Sequence, residues 1–364
     1  MKMKDMKIGL LFGGDSSEHE VSRVSAATVL RGLRAAGFDV LPLGITKDGR
    51  WFAFTGEPEQ MEDGSWEQDA AHLTKCVLSP DRDDHGLWLM EEAGPRLLRI
   101  DVAYPVMHGR NGEDGRLQGL LEMAAIPYVG CDLLSSAVCM DKAVANTLLD
   151  AAGVARCEWD WAWRSECRDF DALEERLAAK LHYPIFVKPA NAGSSVGISK
   201  AADKEELRKA IEVALHEDDK VVFERFVEGQ EVECAAIGNI STGVTATRPG
   251  EVLAGDEFYT YDDKYKNGVS KTIYPARLSE EKLDEVRDQA VKAYTVLGCG
   301  GLSRCDFFVE KGTGKVLLNE LNTLPGFTSI SMYPKLMEAE GTGLTELVTR
   351  LVELALDRAG VAHE

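Results

Sequence analysis

No stretch of this 364-residue chain offers the ~20 consecutive apolar side chains that a membrane-spanning helix requires; runs such as LLSSAVCM break off well short of it. Nor does the opening read as a secretory leader. The opening MKMKDMKIGLLFGG carries lysines, then a short apolar run ending in Gly-Gly-Asp with no small-residue cleavage site, and it predicts a first β-strand. There is no basic excess: 41 Lys and Arg stand against 61 Asp and Glu, a formal net charge of −20. That balance speaks against nucleic acid as a partner, because a phosphate backbone calls for a basic stripe or patch. Any anionic ligand must instead be held by a few local lysines and arginines. Cysteine occurs eight times but never as C-x-x-C, and His and Cys are not grouped as zinc ligands would be. Reduced, mostly buried thiols of a cytoplasmic protein are expected, and the sequon Asn239-Ile240-Ser241 is then a chance match. No GxxxxGK[ST] loop, internal repeat or low-complexity segment occurs.

What is present is a globular composition, 45% apolar, at a length that suggests two or three domains of about 150 residues. Residues 7–13 form an apolar run halted by Gly13-Gly14. A capping box follows, Ser17 with Glu20 three residues on. A helical stripe through Val21, Val24, Thr28, Leu30 and Leu33 is closed by Gly37, and a strand returns at 38–45. This strand–loop–helix–strand unit opens a doubly wound α/β domain. The Trp-bearing region 46–98 reads as short strands of an inserted β-region. A strand at 100–107, a helix at 117–125 and a short strand at 127–130 complete a first domain, expected at 1–130. The second and third are expected at 131–222 and 223–364. They contain a helix at 135–152, a strand at 183–189, a Gly/Ser loop at 190–199 and a helix at 204–216. Strands at 221–227 and 231–238 follow, then a Tyr-, Asp- and Lys-rich stretch at 255–270 that reads as a mobile loop. A helix at 281–297, a hairpin of 302–310 with 315–321 around Gly312-Thr313-Gly314, and an amphipathic helix at 344–356 close the chain.

The hairpin carries the strongest chemical signal. Side chains alternate along a strand, so Arg304 and Asp306 share one face, and Glu320 and Asn322 share one face of the partner. With the turn near 312–313, residue 306 lies opposite about 319–320 and the three acceptors Asp306, Glu320 and Asn322 converge. Two carboxylates and an amide oxygen are hard ligands suited to Mg²⁺. Ordinary cross-strand pairing on a solvated face serves the same pattern. After the hairpin, Asn322-Thr323-Leu324-Pro325-Gly326-Phe327-Thr328-Ser329 is a sharp loop whose N–H groups can face an oxyanion, or simply a Pro-Gly turn. Lys188, at a strand end before Gly193-Ser194-Ser195, offers an ammonium, hydroxyls and N–H groups to phosphates. Residues 223–231, FERFVEGQE, can read an adenine edge and ribose hydroxyls or form a plain edge strand.

Taken in order, these features resemble the ATP-grasp superfamily, in which two α+β lobes clamp ATP and the last hairpin holds Mg²⁺. More narrowly, GGDSSEHEVS, HGRNGEDG, MDK, VKPANAGSSVGIS, DDKY, GLSRCDFF and NELNTLPGFTS resemble the motif series of the D-alanine–D-alanine ligases, over nearly the whole chain. The resemblance implies an α/β and α+β architecture: an ATP-grasp fold with an N-terminal doubly wound α/β domain. It implies a cytoplasmic, homodimeric enzyme that condenses two D-alanines with ATP and two Mg²⁺ ions, Mn²⁺ substituting, for peptidoglycan precursors. Residue by residue, Lys142, Lys188, Ser195 and Lys264 match phosphate-binding positions, and Glu224, Phe226, Val227 and Glu231 match the adenosine pocket. Asp306, Glu320 and Asn322 match the metal ligands. Glu18 matches the residue that pairs with the first D-alanine's ammonium, and His108 one near its carboxylate. Ser194, Tyr265 and Glu18 match a triad that closes the site. Arg304 and the Gly326 N–H match groups facing the oxyanion, and Ser331 and Met332 the site of the second carboxylate. Two alternatives remain, a sister ligase making D-alanyl-D-lactate or D-alanyl-D-serine and a nucleotide-binding regulator without turnover. The Arg304, Asp306, Glu320 and Asn322 set argues against the regulator. Lys264-Tyr265 argues against the depsipeptide, whose makers differ at the position matching Tyr265.

Overall fold

The computed structural model describes residues 3–194, 196–253 and 271–363. Strand β1 (Lys7–Gly13) sends Ile8, Leu10 and Phe12 into one core and Leu11 into another on the opposite face. A strand apolar on both sides is one covered on both sides. Strand β2 (Asp39–Ile45) lies parallel to it, joined through the helix His19–Ala36. Gly37 ends that helix in the left-handed region at φ 90°, as its position after the stripe predicts. At the end of β1, Gly13 has φ 89°, and a Cβ there would lie 2.2 Å from the Ile45 carbonyl oxygen. The Gly14 N–H donates to that same oxygen at 2.8 Å. The turn leaving β1 therefore admits no side chain.

The expected capping box does not form. The helix begins at His19 with Glu18 in the cap position. The Glu18 N–H donates to the Ser16 hydroxyl at 2.9 Å, and the Glu20 carboxylate turns outward to Lys47 at 2.5 Å. Ser16 braces the turn ahead of the helix: its hydroxyl also donates to the His108 carbonyl at 2.8 Å, anchoring that turn to a neighbouring strand end.

Strands β3 (Trp51–Phe54), β4 (Leu73–Leu78), β5 (Gly86–Glu91) and β6 (Gly94–Arg99) extend the sheet antiparallel from β2, while β7 (Val102–Val106) flanks β1 in parallel. The region read as an inserted β-region thus lengthens the first sheet, in the order β6-β5-β4-β3-β2-β1-β7. Trp66 is wholly buried there, edge-on to Phe12 with ring centroids 4.9 Å apart. Residues 127–130 make a single bridge, Ala103 to Tyr128, instead of a strand.

The helix expected at 135–152 is two helices, Leu133–Met140 and Lys142–Ala151. Asp141 between them is extended, at φ −86° and ψ 97°, and its carboxylate accepts from the Ala143 and Val144 N–H groups while pairing with Lys220. An acidic side chain that captures backbone donors starts a new helix rather than continuing the old one. A second sheet follows, made of β8 (Trp159–Trp163), β9 (Ile185–Pro189), β10 (Ser199–Ala201) and β11 (Lys220–Arg225), ordered β10-β9-β11-β8. Helices Phe170–Leu181 and Lys204–Glu217 cover one of its faces. The expected division at 222/223 falls within β11.

The third sheet comprises β12 (Gly229–Asn239), β13 (Gly243–Ala246), β14 (Gly250–Leu253), β15 (Lys271–Ile273), β16 (Gly300–Glu310) and β17 (Val316–Asn322). Helix Glu280–Val296 packs on one face, through Leu283, Val286 and Ala290. The other face shares a core with the first sheet. Ala235, Val252 and Leu302 meet Ile8, Leu10 and Phe12 through helices Met332–Ala339 and Leu344–Ala359. The last helix is therefore part of the first domain's core as much as of the third's. Among the described residues, no helix is long and apolar enough to cross a membrane.

Leu351 is fully buried in that joint core. Leu351→Ala should cost about 2–5 kcal/mol and destabilise the first and third sheets together. Denaturant unfolding followed by tryptophan fluorescence and by far-ultraviolet circular dichroism checks this. Unchanged stability, or loss confined to one sheet, would refute the shared core.

Candidate active site

The cleft is assembled from loops at strand ends. Lys188, on β9, directs its ammonium to the Glu224 carboxylate on the neighbouring β11 at 2.5 Å and to the Asn319 side-chain oxygen at 3.2 Å. Burial opposes the Lys188 charge, but Glu224, and beyond it Glu320, more than offset that and hold the ammonium above its ordinary range. Lys142, first residue of the helix after the Asp141 break, donates to the Ala192 carbonyl at 2.7 Å and lies 3.8 Å from Glu320. Two lysines from two segments thus face one acidic hairpin. Phe226 stacks on Phe186 at 5.9 Å with the Lys200 ammonium 4.6 Å from its ring, and Val227 is buried beside it. Glu231 follows at the start of β12.

The hairpin brings together what spacing foretold. Asp306 pairs with Glu320, and Arg304 with Asn322. Between Asp306 and Phe307 the register shifts, so Leu318 pairs with Phe307 and Asn319 is the extra residue of a β-bulge. Arg304 grips Asp306 with two hydrogen bonds of 2.7 Å and lies 3.1 Å from the buried Glu233. The Asn322 amide donates to Asp306 at 3.0 Å. Arg304 therefore stands beside the acidic set and orients Asp306.

On the opposite wall, Ser194 donates a hydrogen bond to Glu18. Two glycines make room for that carboxylate. A Cβ on Gly109, whose φ is +66°, would come within 2.7 Å of Glu18, and one on Gly193 within 3.0 Å. His108 is buried; its Nδ1 lies 2.9 Å from the Leu324 carbonyl and its Nε2 3.4 Å from the Ser25 hydroxyl. Burial lowers its pKa against the opposing pull of Glu18, so at neutral pH the ring is uncharged. Since a carbonyl only accepts, the single proton sits on Nδ1. Ser25 also accepts from the Phe327 N–H at 3.0 Å. Ser331 caps helix Met332–Ala339, and its hydroxyl takes the Thr328 N–H at 3.0 Å and lies against Gly326. Met332 is buried behind it. Ser195, Lys264, Tyr265 and the expected mobile loop at 255–270 lie outside the described residues.

Two cleft residues escaped the sequence reading. Asn319 became visible only through the bulge, which an alternating pattern conceals. Glu113 stood in plain view within HGRNGEDG but was given no role. Its partly buried carboxylate accepts from the Gly109 N–H at 2.7 Å and the Leu324 N–H at 3.2 Å. Burial, then the nearby Glu18 charge, push its pKa up to about 8.

Two grasping α+β sheets behind an α/β domain, with paired lysines facing a hairpin of acids, define an ATP-grasp enzyme. Two family models match, the D-ala D-ala ligase N-terminus over residues 7–131 and the D-ala D-ala ligase C-terminus over 148–353. The chain belongs to the D-alanine–D-alanine ligase family. It is 45% identical to a D-alanine–D-alanine ligase of Acetivibrio thermocellus, covering 97% of this chain and 96% of that one. It is 44% identical to one from Caldicellulosiruptor bescii, at 98% and 96% coverage. Among solved structures it is similar to the VanG D-Ala:D-Ser ligase from Enterococcus faecalis, with TM-score 0.87, 39% identity and coverage of 96% and 99%. The D-alanine–D-alanine ligase from Coxiella burnetii gives TM-score 0.86 at 34% identity, covering 98% and 95%.

The raised Glu113 carboxyl sets a sign for stability against pH. Its folded pKa of about 8 exceeds the ordinary 4.5, so its contribution is fully present below pH 4.5 and is lost as pH rises through 8. Removing the titration should reverse that trend. The melting temperature of Glu113→Gln, relative to the parent, should rise steadily between pH 5 and pH 8.5; parallel curves would refute the shift.

Proposed function

We propose that the protein is an ATP-dependent ligase that condenses two D-alanines to D-alanyl-D-alanine through an acyl phosphate, supplying peptidoglycan precursor synthesis. The observation that carries this reading is the meeting, in one cleft, of Lys142 and Lys188, the Asp306–Glu320–Asn322 hairpin and the Glu18–Ser194 pair. A carboxylate is a poor acyl donor, so its oxygen must first take the γ-phosphoryl group of ATP. Lys142 and Lys188 hold the phosphates for this transfer, and the 224–231 segment holds the adenosine. The hairpin's two carboxylates and amide are a hard-oxygen donor set that fits Mg²⁺ or Mn²⁺. Asp306, Glu320 and Asn322 would hold two such ions, which when bound neutralise charge on the transferring phosphoryl group.

Glu18 receives the ammonium of the first D-alanine, and Ser194 fixes the carboxylate that does so. His108 sits near that substrate's carboxylate as a neutral, immobilised ring. The second D-alanine's amine, freed of its ammonium proton, then attacks the acyl carbon; the C–N bond forms as the C–O bond to phosphate breaks and inorganic phosphate leaves. Arg304 and the Gly326 N–H stabilise the tetrahedral oxyanion, each such donor being worth about 10²–10³ in rate. Ser331 and the Met332 backbone receive the second carboxylate, while the roles of Tyr265 and Lys264 rest on the family resemblance alone. The cytosol suits the eight free thiols, and a homodimer accords with the family resemblance.

Glu320→Gln should leave the fold intact, weaken Mg²⁺-ATP binding and lower turnover by about 10²-fold or more, ~3 kcal/mol of transition-state stabilisation. Isothermal titration and ADP release measure both; near-normal turnover at low Mg²⁺ would refute the metal assignment. The likeness to a D-Ala:D-Ser ligase makes D-serine the competing second substrate. Product analysis with equimolar D-alanine, D-serine and D-lactate near neutral pH should yield mostly D-alanyl-D-alanine. A majority of either mixed product would overturn the substrate assignment.

A further inference from the structure

One residue of the loop after the hairpin is held at both of its backbone polar groups. The Leu324 N–H donates to the Glu113 carboxylate at 3.2 Å, across 211 residues of sequence. The Leu324 carbonyl accepts from His108 Nδ1 at 2.9 Å. Both holding side chains come from the 108–115 loop, and Glu113 also fixes that loop internally through the Gly109 N–H at 2.7 Å. The Leu324 side chain is buried in the joint core. Three residues on, the Phe327 N–H donates to Ser25, whose hydroxyl lies 3.4 Å from the other His108 nitrogen. The 108–115 loop thus grips Leu324 directly, Ser25 of helix His19–Ala36 holds Phe327, and Ser331 packs on Gly326 between them.

We infer that Glu113 is a positioning residue for the second amino-acid subsite, clamping the 324–331 loop at a set height over His108. The inference rests on the assignment of Ser331 and Met332 to that subsite. Glu113 does not touch the reacting atoms in this arrangement; it acts through Leu324. The task suits a glutamate because each carboxyl oxygen, the protonated one included, keeps a lone pair for one of two N–H donors on different loops. Glutamine has one acceptor oxygen and would turn its amide N–H₂ against one donor. Aspartate is one methylene too short to span both. A backbone donor left unpaired in a partly buried site carries a penalty of its own, and the loop relaxes to avoid it.

The test uses the full chain and resolves the two D-alanine KM values from initial rates over a wide D-alanine range at saturating ATP. In Glu113→Gln the KM for the second D-alanine should rise about tenfold, with those for ATP and the first D-alanine within about twofold. Glu113→Asp should show the same split to a smaller degree, and replaces the glutamine variant if that one does not fold. Ser331→Ala is measured in parallel and should raise the same second KM. If Ser331→Ala raises it and neither Glu113 variant does, the clamp is wrong and the subsite assignment stands. If Ser331→Ala leaves it unchanged, the subsite assignment fails and takes the clamp with it. A Glu113→Gln variant that raises all three KM values alike would also overturn the proposal, since a general structural role has no reason to single out one subsite.

Discussion

The chemistry of the cleft depends on one extra residue in one strand. Along β17, Val316 and Leu318 face the core behind helix Glu280–Val296, and the next residue to do so is Leu321, three positions on. A strand of unbroken alternation would have sent Glu320 and Asn322 into that core and Leu321 into the cleft. The bulge at Asn319 changes the phase. It aligns Leu321 with Cys305 on the apolar side and Glu320 with Asp306 on the polar side, and it delivers Asn319 to Lys188. Burying two carboxylates and an amide in a core without partners would be prohibitive, so the phase change and the acidic pattern require each other.

The same economy of charge runs through the site. A chain of net charge −20 must present cations to a polyanionic substrate, and each cleft cation sits beside an acid: Lys188 by Glu224, Lys142 by Glu320, Arg304 by Asp306 and Glu233. Glu224 holds the Lys188 ammonium charged against its burial, and the acids beside Lys142 and Arg304 fix where those cations point. A phosphate entering the cleft then meets groups already facing it, with little reorganisation left to do.

Much of this was legible in the residues. The β1–helix–β2 unit, the hairpin and the convergence of Asp306 with Glu320 followed from periodicity and turn chemistry, and the motif series named the family. The failures share a cause: the deciding partner lay far away in sequence. Glu18, not Ser17, takes the cap position of the first helix, in a turn that Ser16 ties to the distant His108 carbonyl. Asp141 broke a helix that local propensity favours because Lys220 and two N–H groups claimed its carboxylate. The bulge is set by how β16 and β17 meet, and the part played by Glu113 needs Leu324 in place. Local pattern reaches one turn or one hairpin; beyond that, packing decides.

The joint core has a consequence for how the chain comes into being. Ile8, Leu10 and Phe12 leave the ribosome well ahead of Leu347, Leu351 and Leu354, which share their core. Synthesis at about 5–20 residues per second separates the two by tens of seconds. Through that interval the nascent first sheet has only one of its faces fully lined, and the other presents an apolar strip to whatever is nearby. A holdase that binds extended apolar segments would find its substrate there, and release would await the arrival of helix Leu344–Ala359.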